Sequence, residues 1–241
     1  MDQKFIQRAT LVTSFNFMSS DFTSLTYKKE IQSLFNTHFF PSFKLENTIS
    51  TVDKAKLNTL ISSLKEISSA KFENMHFYNL KGIGPGEVTM YFLLDNAKLG
   101  GGASAGVDLL VGSKGYEIKA VKVSRDGYAS DFKLGGTVPL ADIITDLYSL
   151  STKLKLGGTR TEISGGIIDK MKAMSPKEYS LIEEKFKDIS YNSYFKNHEI
   201  IFINNAKGSS LGRIEAVKNI TKPEVMIERV TSGTVKPKVK L

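Results

Sequence analysis

Alternation of apolar and polar residues near the middle of the chain predicts an antiparallel hairpin. Residues 106–112 and 115–121 are two runs of β-prone residues, and a glycine stands at each end of their connection. The two residues between the runs, 113–114, suit a tight two-residue turn. In that register facing residues have numbers that sum to 227, which places Asp108 opposite Lys119.

Strand alternation gathers the charged residues of this hairpin on one face. Asp108, Glu117 and Lys119 share that face, whereas Tyr116 and Ile118 lie on the opposite, apolar face. Charged side chains next to one another in an apolar sheet are costly unless they are paired or bound to metal. The charged face of the hairpin is therefore a candidate catalytic or metal-binding site, and the apolar face is expected to pack in the core.

Helical periodicity predicts further elements on both sides of the hairpin. The helix candidates are residues 25–35, 52–67, 140–150, 167–171 and 177–186. Ser175, with Glu178 three residues later, predicts a capping box at the start of the last helix. Residues 199–204 form a short apolar run that is typical of a buried strand.

One more helix is predicted just before the hairpin, over residues 84–94. Pro85 is expected at its first helical position and Glu87 in its first turn. A carboxylate in the first turn of a helix interacts favourably with the helix dipole and stabilises the helix by about 0.3–1 kcal/mol, which is one explanation for Glu87. Beside the charged hairpin, Glu87 is equally a candidate metal ligand, and both interpretations stay open.

The order of these parts resembles the PD-(D/E)XK nuclease superfamily. A helix with an acidic residue, a strand with Asp and a strand with Glu-x-Lys correspond here to Glu87, Asp108, Glu117 and Lys119. The resemblance implies an α/β (α+β) restriction-endonuclease-like fold, in which a mixed central sheet is flanked by helices. It also implies a deoxyribonuclease, expected to be an endonuclease, that hydrolyses DNA phosphodiester bonds.

The resemblance further implies roles for the site residues. Asp108, Glu117, the backbone carbonyl of Ile118 and Glu87 would hold one or two Mg²⁺ ions, for which Mn²⁺ can substitute. Lys119 would orient the attacking water or stabilise the charge of the transition state.

Two positions depart from the pattern of the superfamily. Val107 stands where a proline usually precedes the Asp. A strand normally lies between the helix and the Asp strand, but residues 98–105 are too rich in glycine for one. The sequence therefore predicts a sheet that is trimmed at this point.

The pattern of apolar and polar residues predicts three parts of the chain. Residues 1–75 are expected to form an N-terminal helical extension, and residues 76–210 the nuclease-like core with a helical insertion at about 160–196. Residues 211–241 are expected to hold C-terminal strands and a basic tail. The tail, residues 235–241, is interpreted as a solvated end in preference to a phosphate-binding arm.

Composition narrows the functional classes. A net charge of +8 and a pI near 9.4 favour a polyanionic partner, which the resemblance implies is DNA. The absence of cysteine excludes disulfides, a thiolate nucleophile and the usual structural zinc sites. No apolar run is long enough to predict a membrane partner, so a cytoplasmic protein is expected, or a virion-associated one if the source is a phage.

Three interpretations of the charged hairpin remain. The first is an active nuclease, for which double-strand cutting with one site per chain would favour a homodimer. The second is a non-catalytic DNA-binding or assembly protein, for example of a phage particle, that keeps the nuclease fold. The third is a structural protein whose charged face is an ion-pair patch.

Overall fold

A computed structural model describes residues 17–78, 80–100, 107–136 and 138–241. These residues form a mixed α/β structure with six α-helices and nine strands. The helices are α1 (Lys28–Phe39), α2 (Lys54–His76), α3 (Glu87–Leu93), α4 (Ala141–Lys153), α5 (Gly165–Met174) and α6 (Pro176–Ser193). The strands are β1 (Ala97–Leu99), β2 (Leu109–Val111), β3 (Lys114–Val123), β4 (Tyr128–Ser130), β5 (Glu162–Ile163), β6 (Glu199–Asn204), β7 (Ile214–Asn219), β8 (Val225–Thr231) and β9 (Thr234–Lys240).

The nine strands are hydrogen-bonded in the order β1-β2-β3-β4-β9-β8-β5, and β6 pairs with β3 and with β7. The ladders along the main path are antiparallel. The expected combination of a sheet with flanking helices is therefore confirmed at the level of an α+β class. None of the described helices is long and apolar enough to span a membrane.

Contacts divide the chain into two compact units. The first takes in the chain up to Ala120 together with Ile203–Ile214, and the second takes in Val121–Phe202 and Glu215–Leu241. These limits differ from the three parts expected from the sequence, and that three-part division stays a prediction.

The first unit is built around helix α3, whose seven residues are all buried. Helix α1 supplies partners for the carbonyl groups at the end of α3: Lys28 donates to Tyr91 O, and Gln32 Nε2 donates to Phe92 O at 2.8 Å. A helix leaves its last carbonyls without intrahelical partners, and a cation there also complements the dipole. These two side chains therefore allow α3 to be buried on all sides.

The second unit packs three helices on one face of its strands. Alternate strand residues such as Val121, Ala129, Ile227 and Val239 join residues of α4, α5 and α6, including Phe186, in one buried cluster. Burial of this face is the main source of stability for the unit, at roughly 25 cal/mol per Å² of apolar surface.

The predicted helices exist, with shifted or extended limits. The regions at 25–35, 52–67 and 140–150 correspond to α1, α2 and α4, and those at 167–171 and 177–186 to α5 and α6. The strand at 199–204 is confirmed as β6.

The expected capping box at Ser175 is wrong. The Ser175 side chain makes no cap hydrogen bond, and its N–H donates to Met171 O at the end of α5. Glu178 instead forms an ion pair with Lys153 of α4, with 2.5 Å between Nζ and Oε1. Ser175 serves as the joint between two consecutive helices, and its conformation there does not suit a box.

Two further expectations are corrected by the strands. A strand does precede the Asp strand, because β1 pairs antiparallel with β2 over three residues. Residues 101–106 of the glycine-rich stretch lie outside the described residues. The basic tail is not a solvated end, since it forms β9 between β4 and β8 with Val235 and Val239 buried.

Candidate active site

The register of the central hairpin differs from the predicted one by two positions. Leu109 pairs with Tyr116 and Val111 pairs with Lys114, so the turn is made by Gly112 and Ser113. Gly112 has φ +60°, a left-handed conformation that glycine adopts without strain and that tight hairpin turns require. The predicted register, which placed Asp108 opposite Lys119, is therefore wrong.

The corrected register still leaves the two acidic residues of the hairpin next to each other. Asp108 lies just before the first residue pair of the ladder, Leu109 with Tyr116, and its carboxyl is close enough to that of Glu117 for the two to interact. A shift of two positions leaves every side chain on its predicted face, because side-chain direction has a period of two. Tyr116 and Ile118 are buried on the other face, as predicted.

Asp108 is fixed by the backbone of β3. The Ile118 N–H donates to Asp108 Oδ2 at 2.9 Å, and the Asp108 N–H donates to Tyr116 O at 3.1 Å. The carboxylate thus accepts the hydrogen bond of a β3 amide just beyond the last residue pair of β2. A short acidic side chain at the end of β2 is held in place in this way next to Glu117.

Lys119 lies among the carboxylates on the same face. Its Nζ is 2.7 Å from Glu117 Oε1 and 4.0 Å from Asp108 Oδ2. The side chains of Lys119, Glu117 and Asp108 are 17%, 11% and 29% exposed. The group is therefore screened from bulk water but open on the side of Asp108.

Glu87 enters the cluster from the start of α3. It is the first helical residue, and its Oε1 accepts a hydrogen bond from the Gly84 N–H at 2.7 Å. Gly86 precedes it with φ +86°, so the prediction of Pro85 at the first helical position is wrong. The preceding turn therefore needs the left-handed conformation of Gly86 to direct the buried Glu87 carboxyl.

The charges of the cluster act on one another. Burial raises the pKa of Glu87 to about 8; the Asp108 charge adds to the rise, and the Lys119 charge opposes it. Burial likewise raises the pKa of Asp108 to about 6; Lys119 lowers this pKa, and the Glu117 carboxyl beside it raises it. One ammonium does not neutralise three carboxylates, so the cluster favours the uptake of a proton or a cation.

A small cleft of about 30 Å³ opens at the cluster. Glu87, Asp108 and Gly100 line it, and an added Cβ at Gly100 would lie 1.7 Å from Val107 O. The volume suffices for a water molecule. The remaining lining residues are Ser19, Lys81, Gly82, Ile83 and Leu99.

Lys81 is a site residue that sequence reasoning missed. It precedes the glycine-rich turn 82–86 that leads into Glu87, and it lines the same cleft. A basic residue in a glycine-rich turn next to a candidate acid is a signal that could have revealed it.

The donor set was compared with the needs of a divalent cation. No group of three or more His, Cys, Asp or Glu side chains suited to a metal ion is present among the residues that the structure describes. Asp108 and Glu117 fit Mg²⁺ as a pair, because Mg²⁺ is commonly bound through one or two carboxylates and completes its shell with water. Burial is the main cause of the raised pKa of Asp108, and the neighbouring Glu117 carboxyl adds to the rise; a bound cation would favour the charged form of Asp108.

Comparison of the chain with protein-family models, curated proteins and solved structures found no match. The functional interpretation therefore depends on the geometry of the cluster. All four side chains predicted for the site, those of Glu87, Asp108, Glu117 and Lys119, influence one another electrostatically.

Proposed function

We propose that this protein is a metal-dependent deoxyribonuclease that acts as an endonuclease on DNA phosphodiester bonds. The observation that carries the proposal is the neighbouring pair Asp108 and Glu117, with Lys119 Nζ within 4.0 Å of both carboxyls and Glu87 beside them. Two carboxylates and a lysine on adjoining strands form a suitable arrangement for metal-assisted phosphodiester hydrolysis.

The order of elements around the site supports the proposal. Helix α3 carries Glu87, β1 follows it, Asp108 directly precedes β2, and β3 carries Glu117 and Lys119. The presence of β1 removes the departure expected from the glycine-rich sequence. A restriction-endonuclease-like core is accordingly the fold that we propose for the first unit.

The chemistry assigns a role to each residue. Asp108, Glu117, the Ile118 carbonyl and Glu87 would hold Mg²⁺ or Mn²⁺, and a bound ion supplies Lewis acidity and a lowered pKa for coordinated water. Lys119, whose ammonium pairs with Glu117 in this structure, would donate to the scissile phosphate or the attacking water.

A second candidate function has its own support. Lys119 pairs with Glu117, and the described residues contain no group of three metal-ligating side chains. A non-catalytic DNA-binding or assembly protein, as in a phage particle, would keep such a lysine–carboxylate pair without using it for cleavage.

Incubation of supercoiled plasmid and single-stranded DNA with the protein in Mg²⁺, Mn²⁺ and EDTA separates the two functions. The nuclease predicts metal-dependent nicking or degradation that Glu117→Gln abolishes and Glu66→Gln, at an exposed helical position, preserves. DNA binding without cleavage in either metal would favour the second candidate.

A further inference from the structure

The strands of the second unit have a polar face opposite their helix-covered core. In the β8–β9 ladder, Val225 and Val239 pair on the core face, whereas Met226 pairs with Lys238 and Arg229 pairs with Lys236 on the other. We call this other side, which also carries Tyr128, the outer face.

Three lysines follow one another along β9 on the outer face. Lys236, Lys238 and Lys240 alternate with the core-facing Val235, Pro237 and Val239. Successive lysines on one face of a strand are about 7 Å apart. The row therefore extends over about 14 Å as a line of positive charge.

Two carboxylates near this row, those of Asp131 and Glu228, are already engaged. Asp131 lies 2.9 Å from Lys122 Nζ and 2.5 Å from Arg229, and Glu228 also pairs with Arg229. Among the residues that the structure describes, Lys236, Lys238 and Lys240 have no carboxylate within 4.0 Å. Like charges in adjacent positions are destabilising unless an anion lies near them.

Among the three lysines, Lys236 has the surroundings that most favour a nearby anion. It is only 8% exposed, and it faces Arg229 directly across the ladder. Burial lowers the pKa of Lys236, and the charges of Lys133 and Arg229 lower it further, whereas Asp131 and Glu228 raise it. A bound phosphate would offset this crowding of cations.

Tyr128 holds the other two lysines at the surface. Lys238 Nζ and Lys240 Nζ lie 5.5 Å and 4.8 Å from the centre of its ring. Lys240 Nζ also donates to Asp126 O, and the two cation–π contacts occupy the ring face that a nucleobase would need for stacking. The outer face therefore suits the sugar-phosphate backbone better than the bases.

We infer that the outer face binds the phosphodiester backbone of DNA through Lys238 and Lys240, and that the charge of the buried Lys236 adds to the positive potential of this face. The inference rests on the proposed action on DNA and assigns the contact surface for that partner. Backbone binding through a row of lysines gives affinity without sequence preference.

Fluorescence anisotropy in EDTA, with labelled oligo-dT and a labelled duplex as probes, tests the inference without cleavage. The double variant Lys238→Gln/Lys240→Gln removes two charges from the outer face, together with the hydrogen bond from Lys240 to Asp126 O. The matched control Lys170→Gln/Lys177→Gln removes the same charge from exposed positions in α5 and α6. Lys236→Gln is a third variant, and thermal melting verifies that each protein is folded.

The outer-face variant should bind on the order of tenfold more weakly to at least one probe, while the control binds like the wild type. Its plot of log affinity against log salt for oligo-dT should be shallower by about 1.4, which corresponds to two lost phosphate contacts. The probe with the larger loss identifies single-stranded or duplex DNA as the source of the phosphates.

Equal affinity of the outer-face and control variants for both probes would overturn the inference, even if the wild type cleaves DNA. Lysine-dependent binding by a protein that cleaves in no metal would support the inference and reject the nuclease. The two proposals can therefore fail separately.

Discussion

At the scale of single residues, the candidate site is defined by an excess of carboxylates. Asp108 and Glu117 are neighbours, Glu87 is buried beside them, and the ammonium of Lys119 acts on all three carboxyls. Burial strengthens each interaction because the local dielectric is low. The cluster is therefore expected to respond strongly to pH, to cations and to single substitutions.

Glu87→Gln should flatten the dependence of stability on pH. Because the pKa of Glu87 is raised to about 8 in the folded protein, its contribution is fully present below its ordinary pKa and is lost as pH rises through about 8. The wild type in EDTA should lose a few kcal/mol more unfolding free energy than the variant between about pH 5 and pH 9. Urea unfolding at a series of pH values measures the difference, with Glu66→Gln as control.

The pKa of Asp108 is also raised, to about 6, so Asp108 likewise lowers the unfolding free energy as the pH rises, but at lower pH than Glu87. This contribution of Asp108 remains in the Glu87→Gln variant. Identical pH profiles for wild type and Glu87→Gln would show that Glu87 does not hold its proton in the folded protein.

Lys119→Met should make the protein depend on metal for its stability. Removing the ammonium breaks the 2.7 Å ion pair of the Glu117 carboxylate, which is 11% exposed, at a cost of about 3 kcal/mol. A divalent cation would take over that neutralisation, so Mn²⁺ should raise the melting temperature of the variant more than that of the wild type.

Thermal melts in EDTA and in Mn²⁺ measure this effect. Lys114→Met, on the same strand but the opposite face, is the matched control. A variant that melts like the wild type in both buffers would contradict a cation site at this cluster.

At the scale of elements, the side-chain faces of the hairpin could be predicted, but its register could not. Alternation placed Asp108, Glu117 and Lys119 together, and that grouping tolerates any shift of two positions. The register was set by Gly112, which takes the left-handed position of the turn, and several glycines in the region could have done so. Strand β1 escaped prediction because three residues are too few for a pattern.

Gly100→Ala should damage the site through the backbone. The added Cβ would lie 1.7 Å from Val107 O, next to Asp108, and Gly100 N donates to Asp108 O at 2.9 Å. Relief of this overlap must move the end of β2, so we expect a loss of about 3 kcal/mol and weaker metal binding. Chemical denaturation and Mn²⁺ titration measure the two effects.

Gly136→Ala provides the control for this prediction, because its Cβ would meet no atom within 4 Å. Equal stability of the two alanine variants would contradict the close approach of Gly100 to the Asp strand.

At the scale of the whole molecule, composition indicated a polyanionic partner but not where it binds. The net charge of +8 is a total over the whole sequence. The positive potential of the outer face depends instead on which of the described lysines lie together without a nearby carboxylate. That distinction needs the pairing of β8 with β9, which joins residues on either side of a turn. Lys236, Lys238 and Lys240 alternate with core residues, and this alternation is typical of a strand. The expectation of a solvated tail does not take that alternation into account.

The division into two units could not be predicted from the sequence either. Strands β3 and β6 each run from one unit into the other, so no linker marks the boundary. Linker composition is the usual sequence signal for domain limits, and it does not apply where a strand crosses the boundary.

The proposed nuclease site is tested most directly by the rate of plasmid nicking in Mg²⁺ by wild type, Lys119→Met and Lys114→Met. We expect nicking by the wild type and by Lys114→Met, and a loss of at least a hundredfold in Lys119→Met. Equal rates for the two lysine variants, or no nicking by the wild type in Mg²⁺ or Mn²⁺, would contradict a nuclease site at Asp108, Glu117 and Lys119.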